Sequence, residues 1–485
     1  MNTMNKKHAA TLLGCIALLF SSAMAVSVDG QNPVSTSNSG PRKLDLEKKT
    51  TWNNPSTIPD RIVLTVTENP ATSQAITWRS NTFMKKAYVE FAIAEDGPKF
   101  VRKLVRQVAS TERLQTKYNK ANYHSITLEN LKPETKYVYR VGFKEHWSEF
   151  SHFTTASKQT KPFSFIYFGD AQNDLKSHWS RVVREAFREQ PKAAFLLHAG
   201  DLVNRANSDS EWGERFYSCG WINRTLPSIA IPGNHEYSDG VLSDHWRKTF
   251  TLPANGPSGL EETAYYVDYQ GVRIIALDTN TEIDLQAEWF ERIMSNNESD
   301  WTIVTMHHPV FSTSKNRNNS VLRSKLLPLF EKYHVDIVLQ GHDHAYGRTG
   351  LVSNQDARRV TAKIEMQSDG NETTTLAVKE PVVDIANTSG DQWGTVYVVS
   401  VSGPKMYTLS DKRRFQELYK SNAEKKQLFQ ILSVDGDKLE YSAYTVTGKI
   451  YDQFVLQKQT GQVNKLIELQ PNQSPSQTGD SSNGK

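Results

Sequence analysis

The sequence predicts a β-sandwich followed by an α/β domain, and two patterns along the chain support this fold class. Residues 58–156 contain short runs in which apolar and polar residues alternate, as in strands with one buried face. From residue 161 onward, apolar strand-like runs alternate with helical patterns. At 485 residues the chain is long for a single core, which favours two domains with tails.

The first domain is predicted over residues 58–156. Its alternating runs begin at Arg61, Gln74, Tyr88 and Lys136 and are separated by turn residues. Short strands at this spacing are typical of a β-sandwich of about one hundred residues. The segment 131–141 resembles a fibronectin type III domain, and we expect Trp78 to be a core residue of that domain.

The second domain is predicted over residues 161–460. Apolar residues at helical spacing indicate helices at 177–188, 285–294 and about 321–334. The third helix should be kinked or broken at Pro328. Residues 353–392 are polar and poorly periodic and are expected to form an exposed insertion, whereas 395–401 and 439–446 are predicted strands of a second sheet.

The amino-terminal residues 1–25 have the pattern of a secretory signal peptide. Lys6 and Lys7 precede an apolar run over 9–20, and the small residues around Ala25 suit cleavage after that residue. Lipid anchoring at Cys15 is not expected, because the apolar run continues beyond it. The protein is therefore predicted to be secreted or periplasmic.

After this cleavage Cys219 would be the only cysteine, so no intrachain disulfide is expected. Residues 26–57 have the composition of a polar linker, and 461–485 that of a disordered tail. The formal charge of +4 includes two lysines of the signal segment, so it indicates neither nucleic-acid nor membrane binding. No other stretch is apolar enough to predict a transmembrane segment.

Five apolar, β-prone segments run directly into residues that can bind metals. The residues that follow these segments are Asp170, Asp201, Asn234 with His235, His307 with His308, and His342 with His344. In α/β sheets ligands gather at the carboxyl ends of strands, so the five segments predict one shared site. Each motif alone could be a turn or a capped strand end, but the ordered set of five is specific.

Carboxylate, amide oxygen and imidazole together suit borderline first-row metal ions. The set holds too many ligands for one four-coordinate ion, and the two oxygens of Asp201 could bridge a pair. Two ions roughly 3.5–4 Å apart stabilise in-line displacement at phosphorus and activate a water as hydroxide. The residues therefore predict a dinuclear metal centre that hydrolyses phosphoesters.

Over about 58–460 the ordered motifs resemble the calcineurin-like metallophosphoesterases, in particular the purple acid phosphatase branch. The resemblance implies four layers, with two facing mixed sheets flanked by helices. It implies one ion held by Asp170, Asp201 and His344, and a second held by Asp201, Asn234, His307 and His342. His235 matches the histidine that contacts the phosphate or protonates the leaving group, and His308 is a weaker substrate-binding candidate.

One position departs from this resemblance. Purple acid phosphatases carry an iron-binding tyrosine three residues after the second aspartate, where this chain has Asn204. Related enzymes place a histidine two residues after the first aspartate, where this chain has Gln172. Asn204, a weak candidate ligand, or Gln172 could supply a neutral oxygen, so we expect two divalent ions (zinc, manganese or iron) and no tyrosinate-bound iron(III).

The predicted function is that of a secreted or periplasmic phosphomonoesterase acting on a small-molecule or phosphoprotein ester. A phosphodiesterase with the same metal centre is the alternative within the enzyme class. A surface binding or adhesion protein with a vestigial metal site is the alternative of another class, supported by the fibronectin-like segment. The loops 205–225, 238–262 and 310–320 are expected to select the substrate.

Overall fold

The structure is a computed structural model. It describes residues 53–314, 317–368, 393–409, 415–459 and 461–469. The predicted signal peptide, most of the linker, the insertion beyond residue 368 and the last part of the tail lie outside these residues. None of the described helices is both long and apolar enough to cross a membrane.

The first domain consists of strands. They are β1 (Asp60–Thr65), β2 (Gln74–Asn81), β3 (Tyr88–Ile93), β4 (Val105–Val108), β5 (Ser110–Gln115), β6 (Lys120–Leu128), β7 (Lys136–Phe143), β8 (His146–Trp147) and β9 (Ser151–Thr154). All four alternating runs of the sequence form strands. Trp78 is 1% exposed and packs with Leu64 and Tyr139 in the core of the sandwich, as predicted.

The second domain alternates strands and helices. Its elements are β10 (Phe163–Phe168), α1 (Ser180–Glu189), β11 (Leu196–Ala199), α2 (Asp209–Cys219), β12 (Ser228–Ile231), β13 (Tyr237–Ser238), β14 (Val241–Leu242), α3 (Asp244–Thr249), β15 (Tyr265–Tyr269), β16 (Val272–Leu277), α4 (Ile283–Met294), β17 (Trp301–Met306), α5 (Ser320–Lys332), β18 (Ile337–Gln340), β19 (Tyr346–Val352), α6 (Asn354–Ser368), β20 (Thr395–Val399), β21 (Tyr419–Ala423), β22 (Leu428–Asp435), β23 (Lys438–Thr445), β24 (Ile450–Gln459) and β25 (Gln462–Glu468).

Two large mixed sheets form the second domain. The seven-stranded sheet has the order β15-β16-β17-β18-β20-β19-β21. The eleven-stranded sheet has the order β25-β24-β23-β22-β10-β11-β12-β1-β2-β6-β5. Buried side chains of both sheets, such as Phe165, Ile229, Ile274 and Val304, belong to one hydrophobic cluster. The predicted fold class, with two facing mixed sheets and flanking helices, is confirmed.

The eleven-stranded sheet also runs through the first domain. Strand β1 pairs in parallel with β12, with Thr65 opposite Ser228, and the amide of Val66 donates to the Ser228 carbonyl at 3.1 Å. A second sheet of β3, β4, β7, β8 and β9 completes the sandwich. The two domains therefore share one continuous sheet. The sequence did not predict this, because the paired residues lie far apart along the chain.

Three local features differ from the predictions. Helix α5 is not broken at Pro328, and its Leu322, Leu326 and Phe330 are buried in the core. Residues 354–368, the first part of the expected exposed insertion, form the helix α6. The expected tail contains β25, which pairs with β24 and places the buried Asn464 amide 2.6 Å from Asp336 Oδ1.

Candidate metal centre

The candidate ligands lie at the carboxyl ends of five strands from the two large sheets. Asp170, Asp201 and Asn234 follow β10, β11 and β12, which are parallel neighbours in the eleven-stranded sheet. His307 and His342 follow β17 and β18, parallel neighbours in the other sheet. The two sheets thus bring ligands to one site from opposite sides, as the sequence predicts for strand ends.

Two glycines allow the ligand loops to approach each other. Gly200 has φ of 85°, and a Cβ there would lie 2.5 Å from His307 Nδ1. A Cβ at Gly341 would lie 2.3 Å from Asp170 Oδ1. Any larger residue would displace a candidate ligand, so both glycines are required by the close packing of the loops.

The first set of ligand atoms comes from Asp170, Asp201 and His344, whose atoms lie within 4.8 Å of one another. Nδ1 of His344 lies 2.9 Å from the Lys405 carbonyl, which can only accept, so Nδ1 carries the proton and Nε2 presents a lone pair. His344 Nε2 lies 3.4 Å from Asp170 Oδ2. That oxygen is buried and has no hydrogen-bond partner among the described residues. An unpaired, buried carboxylate oxygen suits a cation.

The second set surrounds Nε2 of His307. This nitrogen lies 3.1 Å from Asn234 Oδ1, 3.2 Å from Asp201 Oδ1 and 3.2 Å from His342 Nδ1. His307 Nδ1 faces the Ala199 carbonyl at 2.9 Å, which directs Nε2 toward the other three atoms. Four oxygen and nitrogen atoms thus lie together, and their chemistry suits a first-row metal ion, which would take the place of the proton on His307.

Asp201 belongs to both sets. Its Oδ1 lies beside His307, whereas its Oδ2 is 2.6 Å from the Gln172 amide group. The Gln172 group in turn lies 3.2 Å from His344 Nε2. Asp201 has φ of 51°, an uncommon backbone conformation for a residue other than glycine.

The pKa values of the side chains in the two sets show that negative charge is concentrated around Asp201. Burial alone would lower the pKa of His307, but the Asp201 carboxylate beside it raises that pKa to about 10. Burial and the neighbouring Asp201 raise the pKa of Asp170 to about 7. Burial lowers the pKa of His344 to about 3, and burial with His307 lowers that of His342. The pocket favours a positive charge, while two of its imidazoles stay neutral and can bind a metal.

His342 and His344 both have a left-handed backbone, with φ angles of 74° and 48°. The segment therefore lacks the alternation of a strand, which would place both imidazoles on one face. His342 lies with the second set and His344 with the first.

His235 lies at the edge of the centre. Its backbone amide donates to Asp201 Oδ1 at 2.9 Å, and its Nδ1 lies 2.6 Å from the Asn204 carbonyl. The carbonyl fixes the proton on Nδ1, so Nε2 faces the centre 4.0 Å from Asp201 Oδ2. The side chain is 28% exposed, which leaves it accessible from solvent. His235 is thus placed to contact a group bound at the two ligand sets.

His308 also lies close to the second set of ligand atoms. One of its nitrogens falls within 4.8 Å of ligand atoms of His307 and His342, and its ring is 4.4 Å from the His342 ring. Its Nδ1 is held by the Thr279 hydroxyl at 2.8 Å. Burial lowers its pKa to about 3, so the ring stays neutral.

Comparison with known proteins identifies the two domains. Residues 59–155 match the purple acid phosphatase N-terminal domain, and residues 163–346 match the calcineurin-like phosphoesterases. The chain belongs to the purple acid phosphatase-like metallophosphoesterases. The family predicted from the ordered motifs is therefore confirmed.

Relatives of this phosphoesterase occur in plants and animals. Purple acid phosphatase 21 of Arabidopsis thaliana is 29% identical over 254 residues, which are 50% of this chain and 56% of the relative. Acid phosphatase type 7 of Homo sapiens is 26% identical over 330 residues, which are 62% of this chain and 73% of the relative. The chain thus spans little more than half the length of the first of these relatives.

A solved structure supports the fold. The purple acid phosphatase PPD1 isolated from yellow lupin (Lupinus luteus) seeds superimposes with a TM-score of 0.62 at 18% identity, over 83% of this chain and 74% of the lupin chain. At this identity the similarity concerns the fold alone.

The phosphoesterase domain also contains a buried residue whose role the sequence did not reveal. Glu236 is fully buried and accepts from the amides of Asp201 at 2.9 Å, Leu202 at 2.8 Å and Gly233 at 2.7 Å. It therefore ties the loop of the bridging aspartate to the loop of Asn234. Its place directly after the Asn-His pair was the available signal, but an acidic residue beside two ligands could equally have been a ligand itself.

Proposed function

We propose that this protein is a metal-dependent phosphoester hydrolase, and specifically a phosphomonoesterase. The observation that carries the proposal is that Asp201 contacts both ligand sets: its Oδ1 lies 3.2 Å from His307 Nε2, and one of its oxygens lies within 4.8 Å of the ligand atoms of Asp170 and His344. When bound, two divalent ions in such sets neutralise phosphoryl oxygens and lower the pKa of water. The family and the fold support the same chemistry.

The donor set supports divalent zinc, manganese or iron(II). Among the hydrogen bonds of the described residues, none joins the Asn204 side chain to Asp170, Asp201 or His344. The Gln172 side chain, by contrast, contacts the last two of these residues. We therefore favour Gln172 over Asn204 as the neutral fourth ligand of the first ion.

Gln172 would bind an ion through its side-chain oxygen, which requires its amide group to rotate. As placed, its Nε2 faces the Asp201 Oδ2 carboxylate oxygen and the lone pair of His344. An amide NH₂ group cannot face a cation, but oxygen and nitrogen of an amide exchange places by a simple rotation. The rotated oxygen would complete the set. Lys405, 3.4 Å from the present Oε1, would then turn away from the rotated NH₂ group.

His235 is proposed to bind the phosphoryl group and to give a proton to the leaving oxygen. Its Nδ1 keeps its proton because it faces the Asn204 carbonyl, so only Nε2 exchanges a proton at the centre. A positioned histidine of this kind contributes about 10²–10⁴-fold to a rate. His308 is proposed as a second, neutral contact to the substrate.

Export is proposed from residues 1–25, which lie outside the described part of the chain. The charged start and the apolar run support a secreted or periplasmic protein. Mass spectrometry of the exported protein tests this: a mature amino terminus at Val26 supports cleavage after Ala25, and an uncleaved or lipidated chain contradicts it.

Metal analysis combined with an ester panel tests the function. The purified protein should bind about two equivalents of a divalent ion. It should hydrolyse p-nitrophenyl phosphate and lose that activity on chelation, with recovery when zinc or manganese is restored. Preference for bis-p-nitrophenyl phosphate over the monoester would assign the protein as a phosphodiesterase. Tight binding of two ions without hydrolysis of either ester would support a binding protein instead.

A further inference from the structure

The cleft beside the metal centre is built by both domains. A cavity of about 660 Å³ is lined on one side by Asn234, His235 and the loop around Asn204. Its opposite wall comes from the hairpin of β5 and β6, through residues 114–117. A cavity of this size is in the range that houses a whole small ligand. It therefore has room for a leaving group as well as a phosphate.

The hairpin is held firmly in this position. Its turn is closed by the Thr116 amide, which donates to the Asn119 carbonyl at 2.9 Å, and by the Asn119 amide, which donates to Thr116 Oγ1 at 3.0 Å. The Asn119 side chain donates to Asp209 Oδ2 at 3.1 Å, and Glu112 pairs with Lys248 of α3. The hairpin is thus anchored to the second domain on two sides and forms a preorganised wall.

The wall of the cleft formed by the loop around Asn204 is anchored to helix α2, the helix that also carries Asp209. Glu211 of α2 accepts from the backbone amides of Asn204 and Arg205, both at 2.8 Å. The Asn204 carbonyl in turn orients His235. Helix α2 therefore fixes the distance between the hairpin, through Asp209, and the histidine that faces the centre.

The side chains that line the cleft are mainly amides and hydroxyls. They include Gln115, Thr116, Asn204, Asn207, Ser208 and Ser238. Lys117 and Arg205 add positive charge and Asp244 adds negative charge, and Tyr237 is the only phenyl or indole side chain among the described lining residues. Several of these groups already pair within the protein, as Gln115 Nε2 does with the Thr116 carbonyl at 2.7 Å. Amides and hydroxyls nevertheless keep further donors and acceptors, which a polyhydroxylated ligand can pair with and an aryl or alkyl group cannot.

We infer that the β5–β6 hairpin of the first domain selects the leaving group, and that this group is rich in hydroxyls, as in a sugar phosphate. Gln115 and Lys117 are the specificity-determining residues that reach it. The inference rests on the proposed phosphomonoesterase function. It adds that the first domain takes part in substrate binding.

Kinetics on two esters test this inference. Wild type, the double variant Gln115→Ala/Lys117→Ala and the control Lys120→Ala are compared on glucose 6-phosphate and on p-nitrophenyl phosphate. Lys120 lies on the same hairpin and is exposed like Lys117, but it does not line the cleft. The double variant should lose about tenfold in kcat/KM on the sugar phosphate and change little on the aryl ester. The control should change neither value.

The outcomes separate the two proposals. Equal losses on both esters, or no loss on the sugar phosphate, would overturn the role of the hairpin. If wild type hydrolyses the aryl ester but not the sugar phosphate, the phosphomonoesterase proposal stands and the hydroxyl-rich leaving group is refuted. If wild type hydrolyses no ester with its metals bound, both proposals fail.

Discussion

Asp209 should contribute more to the stability of this protein than its place on a helix terminus suggests. Its carboxylate is 5% exposed and accepts from Arg61 Nη1 at 2.7 Å, while Arg79 Nη1 lies 3.7 Å away. Both arginines belong to the first domain and are almost fully buried. Asp209→Asn keeps the shape of the side chain but leaves two buried guanidinium groups without their shared anion.

We expect this change to lower the free energy of unfolding by about 3–5 kcal/mol, the usual cost of removing one partner of a buried ion pair. Asp60→Asn is the matched control. Asp60 also pairs with Arg79, at 2.6 Å, but its side chain is 38% exposed, so water can replace it. A pair of this kind contributes about 1 kcal/mol or less. Urea unfolding of the wild type and both variants measures the difference.

The effect should also depend on pH in a defined direction. Burial alone would raise the pKa of Asp209, but Arg61 and Arg79 outweigh it and hold the pKa well below its usual value. A lowered pKa stabilises the fold above the pKa of the unfolded aspartate, about 3.9, and this contribution is lost as the pH falls toward the folded value. The advantage of the wild type over Asp209→Asn should therefore shrink below about pH 4. Equal losses for Asp209→Asn and Asp60→Asn at neutral pH would refute the reasoning.

Three further predictions concern the metal centre. Asp201→Ala should lose both ions and nearly all activity while the fold survives, and retention of two equivalents in metal analysis would rule out the bridging role. His235→Ala should keep both ions and lose about 10²-fold in turnover, and unchanged turnover on a poor leaving group would remove it from the mechanism. Gln172→Ala should weaken binding of the first ion in a calorimetric titration, whereas Asn204→Ala should not; the reverse result would restore Asn204 as the ligand.

The candidate metal ligands could be grouped from the sequence because the segments that carry them follow strands. An apolar β-prone run fixes where a strand ends, and parallel strands end at a common edge. Asp170, Asp201 and His307 could thus be assigned to one site without knowledge of the loops. The choice between Gln172 and Asn204 could not be made in this way, because it depends on the direction in which each loop turns after its aspartate.

Features that depend on tertiary contacts were the ones missed. The left-handed backbone of His342 and His344 has no signal in a His-x-His pattern. Strand β25 has few apolar residues and is held by pairing with β24. Pro328 is compatible with α5 because the apolar face of that helix is buried. In each case packing against distant residues outweighs the local preference of the sequence.

The pairing of β1 with β12 changes how the first domain should be regarded. Without that domain, β12 would become an open edge of the large sheet, and open edges tend to pair with other chains. Asp209 would lose both arginines, and its helix α2 also carries Glu211, which anchors the loop whose Asn204 carbonyl orients His235. The wall of the cleft formed by the hairpin would be missing as well. The β-sandwich is therefore better understood as a structural part of the candidate active site than as a detachable module.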